Sequence, residues 1–281
     1  MAPRNDDRPL AESMPFPGEG LDPSRIPGHW LLARLGKRVL RPGGLGMTRW
    51  MLDTLAVGPD DRVVELAAGL GSTARLALRA APAAYTAVDR DPDAVARLGT
   101  LTGPGPTQIA AVRADAARTG MPAGSATVVY GEAMLTMQPE PAKRRIVREA
   151  LRLLADSTGR YAVHELCLVP DDIDPALAAR ITADLAEAIH AGARPLTAGG
   201  WRDLLAAEGF TVVDRRTAPM ALLEPHRLIA DEGLSAALGI AGRTLRSPAA
   251  RRRVLHMRGV FQRHRDYLGA IGLVARPTRI F

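Results

Sequence analysis

Residues 61–74, which read DRVVELAAGLGSTA, contain the features that decide the fold of this chain. The apolar run 62–67 is typical of a buried strand, a turn with Gly69 and Gly71 follows, and a helical pattern begins at Thr73. Glycine lacks a Cβ and lets a ligand approach the backbone, while a helix start offers unpaired N–H groups. The stretch therefore predicts a strand, a glycine-rich turn and a helix that together hold a nucleotide-like ligand.

The segments on either side of this stretch repeat the alternation of strand and helix. Such an alternation indicates a parallel sheet with helices on both faces, whose ligands bind at the carboxyl ends of the strands. The predicted strands are 62–67, 85–88, 109–113, 126–130, 160–165, 211–215 and a last one at 267–275, and the predicted helices between them are 73–80, 92–100, 143–154 and 200–208.

Two further helical regions lie outside the alternation. The apolar spacing of residues 29–40 predicts an amphipathic helix that the Pro42-Gly43-Gly44 sequence ends, and a second helix follows at 47–55. We therefore expect an N-terminal arm and helical cap at 1–46, in which residues 1–28 are irregular. The main domain is expected at 47–281, with a helical insertion at about 225–266 before the last strand.

Composition limits the classes of protein to which the chain can belong. Its 281 residues are 47% hydrophobic and 24% charged, which suits one large globular domain. No apolar run approaches the roughly 18 residues of a membrane span, and the N-terminal residues do not resemble a secretory signal. The single cysteine, Cys167, permits no internal disulfide. We expect a cytoplasmic protein with no membrane partner and no metal site.

An acidic residue placed after the second strand gives the glycine-rich turn a more specific meaning. Asp89 follows Gly71 by eighteen residues, at the tip of that strand, where a carboxylate can accept hydrogen bonds from the hydroxyl groups of a ribose. Nicotinamide dinucleotides and S-adenosylmethionine both use this pair of features. The spacing Gly69-x-Gly71-x-x-Ala74 also satisfies the dinucleotide pattern, so the choice depends on other residues.

Two features favour S-adenosylmethionine. Glu65 lies inside the first strand, where an acid can meet the cationic amino group of a methionine moiety, and Asp115-Ala116 follows the third strand. With these residues the stretch of about 45–216 resembles the class I S-adenosylmethionine-dependent methyltransferases. That resemblance implies a Rossmann-like, seven-stranded, mostly parallel sheet, and S-adenosylhomocysteine as the product. The residues it implies for cofactor binding are Glu65, Ala67, Gly69, Gly71, Asp89, Arg90, Asp115, Ala116 and Glu132. Ala67 departs from the family pattern, which has glycine there.

In methyl transfer the enzyme mainly has to desolvate a nucleophile and align it with a methyl group that is already activated, and no metal is required. A general base can assist if the acceptor is a phenol, an amine or an acidic carbon. The candidates are His164 and Glu165 at the end of strand five, Glu132 after strand four, and His29 in the first cap helix. In the alternative interpretation His164 is a packed core histidine and Glu132 is the partner of a nearby arginine.

The insertion contains a strongly basic segment. Residues 233–265 include eight arginines and no acidic residue. They could face RNA phosphates or an anionic small molecule. Because Val254, Met257 and Phe261 recur at helical spacing and aromatic residues are sparse, a solvated helix or a substrate lid is the favoured interpretation.

The sequence thus predicts methyl transfer from S-adenosylmethionine to a small-molecule acceptor. The alternatives are an RNA methyltransferase that uses the Arg-rich segment 243–265, a nicotinamide-dependent oxidoreductase, and a binding protein without turnover. The acceptor, the choice among O-, N-, C- and S-methylation, and the oligomeric state stay open, with a homodimer among the states that the sequence permits.

Overall fold

A computed structural model describes residues 22–278, so most of the expected N-terminal arm lies outside the described residues. Its centre is a single sheet with the strand order β3-β2-β1-β4-β5-β8-β7, in which the two-residue strand β6 pairs with β5. The strands are β1 Arg62–Leu66, β2 Ala84–Asp89, β3 Gln108–Arg113, β4 Val128–Glu132, β5 Arg160–Leu168, β6 Leu196–Thr197, β7 Phe210–Pro219 and β8 Leu268–Pro277.

The helices occupy both faces of the sheet and its carboxyl edge. They are α1 Gly28–Arg34, α2 Gly44–Leu55, α3 Ala74–Ala77, α4 Pro92–Leu98, α5 Glu140–Leu153, α6 Pro175–Ile189, α7 Ala198–Ala207, α8 Pro225–Glu232, α9 Leu234–Arg246 and α10 Pro248–Arg263. Short 3₁₀ turns at Leu78–Ala80 and Arg265–Tyr267 follow α3 and α10.

Strands β1 to β5 run parallel, and only β8 runs antiparallel to its neighbours β5 and β7. The chain leaves β1 toward β2 and β3, then returns to place β4 on the other side of β1. Ligands of such sheets bind at the point where the strand order reverses. The predicted mostly parallel α/β sheet is therefore confirmed, with β6 as a short addition to the seven expected strands.

Alternating side chains of the central strands supply the two cores of the sheet. Val64 of β1 packs with Ile146 of α5 and Leu204 of α7 on one face, whereas Val63 packs with Met51 of α2 on the other. Since neighbouring residues of a strand point to opposite faces, the near-continuous apolar run of β1 is what a strand buried on both sides requires.

A third apolar cluster lies at the carboxyl edge and joins segments that are distant in sequence. Ile26 and Leu31 near the N-terminus meet Leu185 of α6, Ile240 of α9 and Met257 of α10 there. Helix α6 is absent from the sequence prediction. Its signals are the cap of Asp174, whose carboxylate accepts the Leu177 N–H at 2.8 Å, and a proline at the first helical position.

Several predicted boundaries were wrong. The helix expected at 29–40 ends at Arg34, because Gly36 adopts a left-handed φ of +96° and the chain then turns toward α8. Strand β5 continues to Leu168, so His164 lies inside it, and Glu132 is the last residue of β4. The last strand, predicted at 267–275, is β8 and begins at Leu268, and the insertion contains three helices.

Candidate active site

A cavity of about 770 Å³ opens at the carboxyl ends of β1, β2, β3 and β4. Its other walls come from α1, α6, α10 and the segment that follows β7. This volume lies within the range of small-molecule sites. The predicted site residues in the wall are His29, Glu65, Ala67, Gly69, Asp89, Arg90, Asp115, Ala116 and Glu132. Gly71 and His164 are not among the lining residues.

The glycine-rich turn after β1 presents its backbone to this cavity. Ala67, Gly69 and Gly71 have φ values of +55°, +56° and +71°. A Cβ at Gly69 would meet no atom within 4 Å, so the space above this residue is open. A Cβ at Gly71 would instead lie 3.1 Å from Leu98 and 3.3 Å from Leu101. Gly71 therefore shapes the turn from behind instead of contacting the cavity.

Asp89 at the tip of β2 is tied to the same turn. Its Oδ2 accepts the Gly69 N–H at 2.8 Å, and its Oδ1 accepts the Asp91 N–H at 3.0 Å. The side chain is mostly buried but lines the cavity. Carboxylate oxygens have more than one acceptor site each, so both can still receive a hydroxyl group. Asp115, after β3, accepts the Ala117 N–H at 2.7 Å and lines the cavity beside Ala116.

Glu65 contributes an unusual carboxyl group to the wall beside the turn. Burial raises its pKa to about 8, although hydrogen bonds from Tyr85 and Tyr130 act in the opposite direction. The Tyr85 hydroxyl donates to Glu65 Oε2 and also lies 2.8 Å from the Tyr130 hydroxyl. No cation pairs with this carboxyl group within the described part of the chain. At neutral pH Glu65 is therefore largely protonated, and a bound cation would favour its ionised form.

Glu132 forms the centre of a buried charged cluster. Its Oε1 accepts Thr48 Oγ1 at 2.6 Å and lies 3.3 Å from Arg41 Nε, and its Oε2 accepts the Thr73 hydroxyl. Burial would raise the pKa of Glu132, but the Arg41 charge and hydrogen bonds from His164 and Thr48 outweigh it and hold the pKa at about 2. Glu132 is thus a fixed anion that ties α2, α3 and β4 together, which makes it a poor proton acceptor.

His164 lies behind Glu132, fully buried in β5. Its Nδ1 is 2.7 Å from Glu132 Oε1, and its Nε2 contacts the Pro42 carbonyl oxygen. Both ring nitrogens thus face oxygen acceptors and neither reaches the cavity. His164 therefore contacts Glu132 from behind and lies outside the cavity in which a methyl acceptor would bind.

His29 has the opposite environment. It lines the cavity from α1, with its ring 4.7 Å from that of Trp30. Burial and the nearby Arg90 charge lower its pKa to about 4. At neutral pH the imidazole is therefore uncharged and able to accept a proton or a hydrogen bond at the cavity surface.

The loop after β4 is held by a second buried glutamate. Glu165 accepts the backbone N–H groups of Met134, Leu135 and Thr136 at 3.0, 2.8 and 2.9 Å, and the Thr136 hydroxyl at 2.7 Å. Burial raises the pKa of Glu165. Because Met134, Thr136 and Met137 line the cavity, this carboxyl group sets the position of one wall.

The part of the cavity under the cap is mainly apolar. Its side chains come from α1, α6, α10, the loop after β4 and the segment after β7, and they include Trp30, Met134, Met137, Leu185, Ile189, Met220, Leu222 and Phe261. The cavity thus has a polar end over the glycine-rich turn and an apolar end under the cap.

Several site residues escaped sequence reasoning. Arg41, Thr48 and Thr73 complete the Glu132 cluster, and Tyr85 and Tyr130 surround Glu65. Tyr85 and Tyr130 were predicted only as residues of buried strands, and Arg41 only as part of the cap. The parallel pairing of β1 with β4 is the feature that identifies Tyr130, since it places this residue beside Glu65.

The residues present fit S-adenosylmethionine. The open space over Gly69 admits a ligand to the backbone, the carboxyl group of Glu65 suits an ammonium group, and Asp89 suits a ribose. Within residues 22–278 no group of three or more His, Cys, Asp or Glu side chains could hold a metal ion. None of the helices in that range is long and apolar enough to span a bilayer.

Comparison with known proteins agrees with this class of fold and site. Residues 63–157 match the family model described as a methyltransferase domain. An uncharacterized protein of Haemophilus influenzae is 34% identical over 215 residues, which are 76% of this chain and 83% of that protein. The chain belongs to the class I S-adenosylmethionine-dependent methyltransferases.

Two solved structures show how widely the fold is shared. A putative sarcosine dimethylglycine methyltransferase from Galdieria sulphuraria has a TM-score of 0.61 at 17% identity and covers 83% of this chain and 86% of its own. A Haemonchus contortus phosphoethanolamine N-methyltransferase, solved with phosphomonomethylethanolamine and S-adenosylhomocysteine, has a TM-score of 0.66 at 12% identity. The match covers 94% of this chain and 60% of the other. At these identities the likeness is one of fold.

Proposed function

We propose that this protein transfers the methyl group of S-adenosylmethionine to a small molecule with an apolar body. The observation that carries the proposal is the division of one cavity into a polar end over Gly69 and an apolar end under the cap. The two structural neighbours are named for methylation of small amines, which agrees with a small acceptor.

At the polar end the chain's own residues hold and orient the cofactor, which supplies a methyl group already activated on a sulfonium. In this proposal Glu65 receives the ammonium group and Asp89 receives the ribose hydroxyl groups. Asp115 and Ala116 border the adenine. Arg90 lines the wall next to Asp89, and Ala67 and Gly69 form the floor.

At the apolar end the cap aligns the acceptor and excludes water, which is the main requirement of an in-line displacement. His29 is the residue proposed to accept a proton from the acceptor, since its imidazole is uncharged and lines the cavity. Glu132 and His164 are proposed as positioning residues. Both oxygens of Glu132 are engaged by neighbouring side chains, and His164 acts through Glu132.

Calorimetry with S-adenosylhomocysteine tests the proposal. Asp89→Ala should weaken binding by about 10- to 100-fold, because hydrogen bonds to a charged group contribute about 1.5–3 kcal/mol. The matched control is Asp60→Ala, which removes an exposed aspartate before β1, at the opposite edge of the sheet. Failure of the wild-type protein to bind would refute the proposed function, and unchanged binding by Asp89→Ala would refute the role of Asp89.

A further inference from the structure

Helix α9 carries a row of exposed leucines that the methyltransferase site does not use. Leu234, Leu238 and Leu245 are 61%, 65% and 64% exposed. With 3.6 residues per turn, these three positions fall within an arc of about 40° on the helix surface. Ala237 and Ile240 on another face of the same helix are buried. We call the three exposed side chains the leucine ridge.

Most arginines of the basic segment 233–265 are already engaged within the protein. Five of the eight have a partner: Arg243 donates to the Leu35 carbonyl, Arg253 to the carbonyls of residues 23, 24 and 26, and Arg258, Arg263 and Arg265 pair with Glu224, Asp184 and Asp266. The eight arginines of this segment therefore do not form one continuous basic face.

Three arginines remain available to an external partner. Arg246, Arg251 and Arg252 are exposed, and no residue within 22–278 pairs with them. Because α9 ends at Arg246 and α10 begins two residues later, these charges gather near the Leu245 end of the ridge.

We propose that the leucine ridge and these three arginines dock the protein on an anionic lipid surface. Leucine side chains on one stripe of a surface helix can enter the boundary between headgroups and acyl chains, while flanking arginines neutralise lipid phosphates. Helix α9 has 13 residues, so this mode of attachment lies on the bilayer and does not cross it. The proposal replaces the expectation of no membrane partner.

Other occupants fit the surface less well. A second copy docked ridge to ridge could cover the leucines but would offer no acid to the three arginines, because residues 233–265 contain no acidic side chain. RNA would match the charges but offers no apolar phase to the leucines, and the ridge has no aromatic ring for base stacking. The leucines project from a helix and do not line a groove, which suits a deformable layer better than a rigid acidic protein.

The proposed docking surface is also connected to the cavity through helix α10. Helix α10, which packs on α9, contributes Phe261 to the apolar end of the cavity. Docking through this helix pair would therefore bring the apolar end of the cavity close to the lipid surface. The docking itself depends only on the surface residues and is independent of the proposed function.

Flotation with lipid vesicles tests the docking. The full-length chain is expected to float with vesicles containing one-third phosphatidylglycerol and not with pure phosphatidylcholine, and less so as salt rises from 0.1 to 1 M. The double change Leu238→Glu with Leu245→Glu should reduce the partition coefficient at least about tenfold, since it removes two of the exposed leucines that would enter the lipid layer. Arg251→Glu with Arg252→Glu should remove the preference for anionic vesicles.

The control variant is Val213→Glu, which replaces a 54% exposed apolar residue in the first half of β7, away from the cap. It should float like the wild type, and all variants should keep the wild-type circular dichroism spectrum. Absence of flotation, or equal flotation of the leucine variant, would overturn the proposal. The proposal would also be overturned if sedimentation showed a dimer that the leucine variant abolishes while the wild type does not bind vesicles. Retention on RNA that depends on the arginines alone would overturn it as well.

Discussion

At the scale of single residues, the glycine-rich turn shows how the backbone shapes the site. Ala67 adopts a φ of +55° although it has a Cβ. The left-handed conformation costs an L-residue roughly 1–2 kcal/mol relative to the right-handed one. The turn therefore keeps the conformation that a family glycine would adopt without this cost, and the methyl group of Ala67 becomes part of the cavity wall.

Glu65 leads to a prediction about proton release. Its pKa is about 8 in the free protein, so it is mostly protonated at pH 7. A bound ammonium group favours the carboxylate, so S-adenosylhomocysteine binding should release close to one proton at pH 7. Affinity should rise with pH up to about 8 and then level. Calorimetry in two buffers of different ionisation enthalpy measures this release.

The matched variant for this prediction is Glu65→Gln, which should bind more weakly and release no proton from this site. Its stability relative to the wild type should also increase with pH. A carboxyl group whose pKa is raised in the folded protein lowers the free energy of unfolding as pH climbs from its unfolded pKa toward its folded pKa, here from about 4.5 to about 8. Wild-type binding without proton release would contradict the assignment of Glu65 to the ammonium group.

At the scale of elements, two glutamates organise the end of β4 and the loop that follows it. Glu132 joins β4 to α2 and α3 through Thr48 and Thr73, and Glu165 anchors the loop after β4. Strand pairing places Glu132 directly opposite His164. The register of two parallel strands, which brings residues 32 positions apart into contact, therefore builds this cluster.

Glu165→Gln should loosen the loop that follows β4. A carboxamide has one acceptor oxygen in place of two, so part of the four hydrogen bonds from Met134, Leu135 and Thr136 will be lost. Backbone amides at these positions should exchange with deuterium about 10- to 100-fold faster, as expected for lost bonds to a charged group. The control is Glu187→Gln on the exposed face of α6, and unchanged exchange in Glu165→Gln would refute the clamp.

At the scale of the whole molecule, the cap is assembled from separate parts of the chain. Residues 22–46, helix α6 and the insertion near 225–266 share one apolar cluster. We propose that these segments form one composite cap over the domain that begins near residue 47, which adds helix α6 to the N-terminal helices and the insertion expected from the sequence.

Glu232 joins two of these parts. It accepts the Arg38 and Val39 N–H groups at 2.9 and 2.8 Å and lies 3.7 Å from Lys37, with both charged side chains 1% exposed. The Arg38 carbonyl in turn accepts the hydroxyl of Ser72 in the glycine-rich turn at 3.0 Å. Hydrogen bonds thus connect the cap to the polar end of the cavity.

Glu232→Ala should lower the free energy of unfolding by about 3–5 kcal/mol, because it leaves Lys37 as an unpaired buried charge. Residues 36–45 should become a preferred site of limited proteolysis, and binding of S-adenosylhomocysteine should weaken. Asp203→Ala, which breaks an exposed pair with Arg202, serves as the control and should change stability little. Equal denaturation curves and protease patterns for wild type and Glu232→Ala would contradict this connection.

The amino-acid sequence by itself determined the sheet, the glycine-rich turn and the acids at the ends of β1, β2 and β3. These features depend on local patterns, since strand burial and turn chemistry are encoded by neighbouring residues. The same reasoning missed α6 and extended the first helix past Gly36, because cap helices have no alternation to mark them and a glycine's φ depends on its surroundings.

Only the tertiary structure decided which residues face the cavity. His164 and His29 look alike in sequence, yet strand pairing buries one behind Glu132 while packing of α1 brings the other to the cavity wall. Likewise, four of the five engaged arginines find their partners among acids and carbonyl groups far away in the chain, and Arg265 alone pairs with its neighbour Asp266. Long-range contacts set the burial and the partners of each charge, and therefore its chemistry.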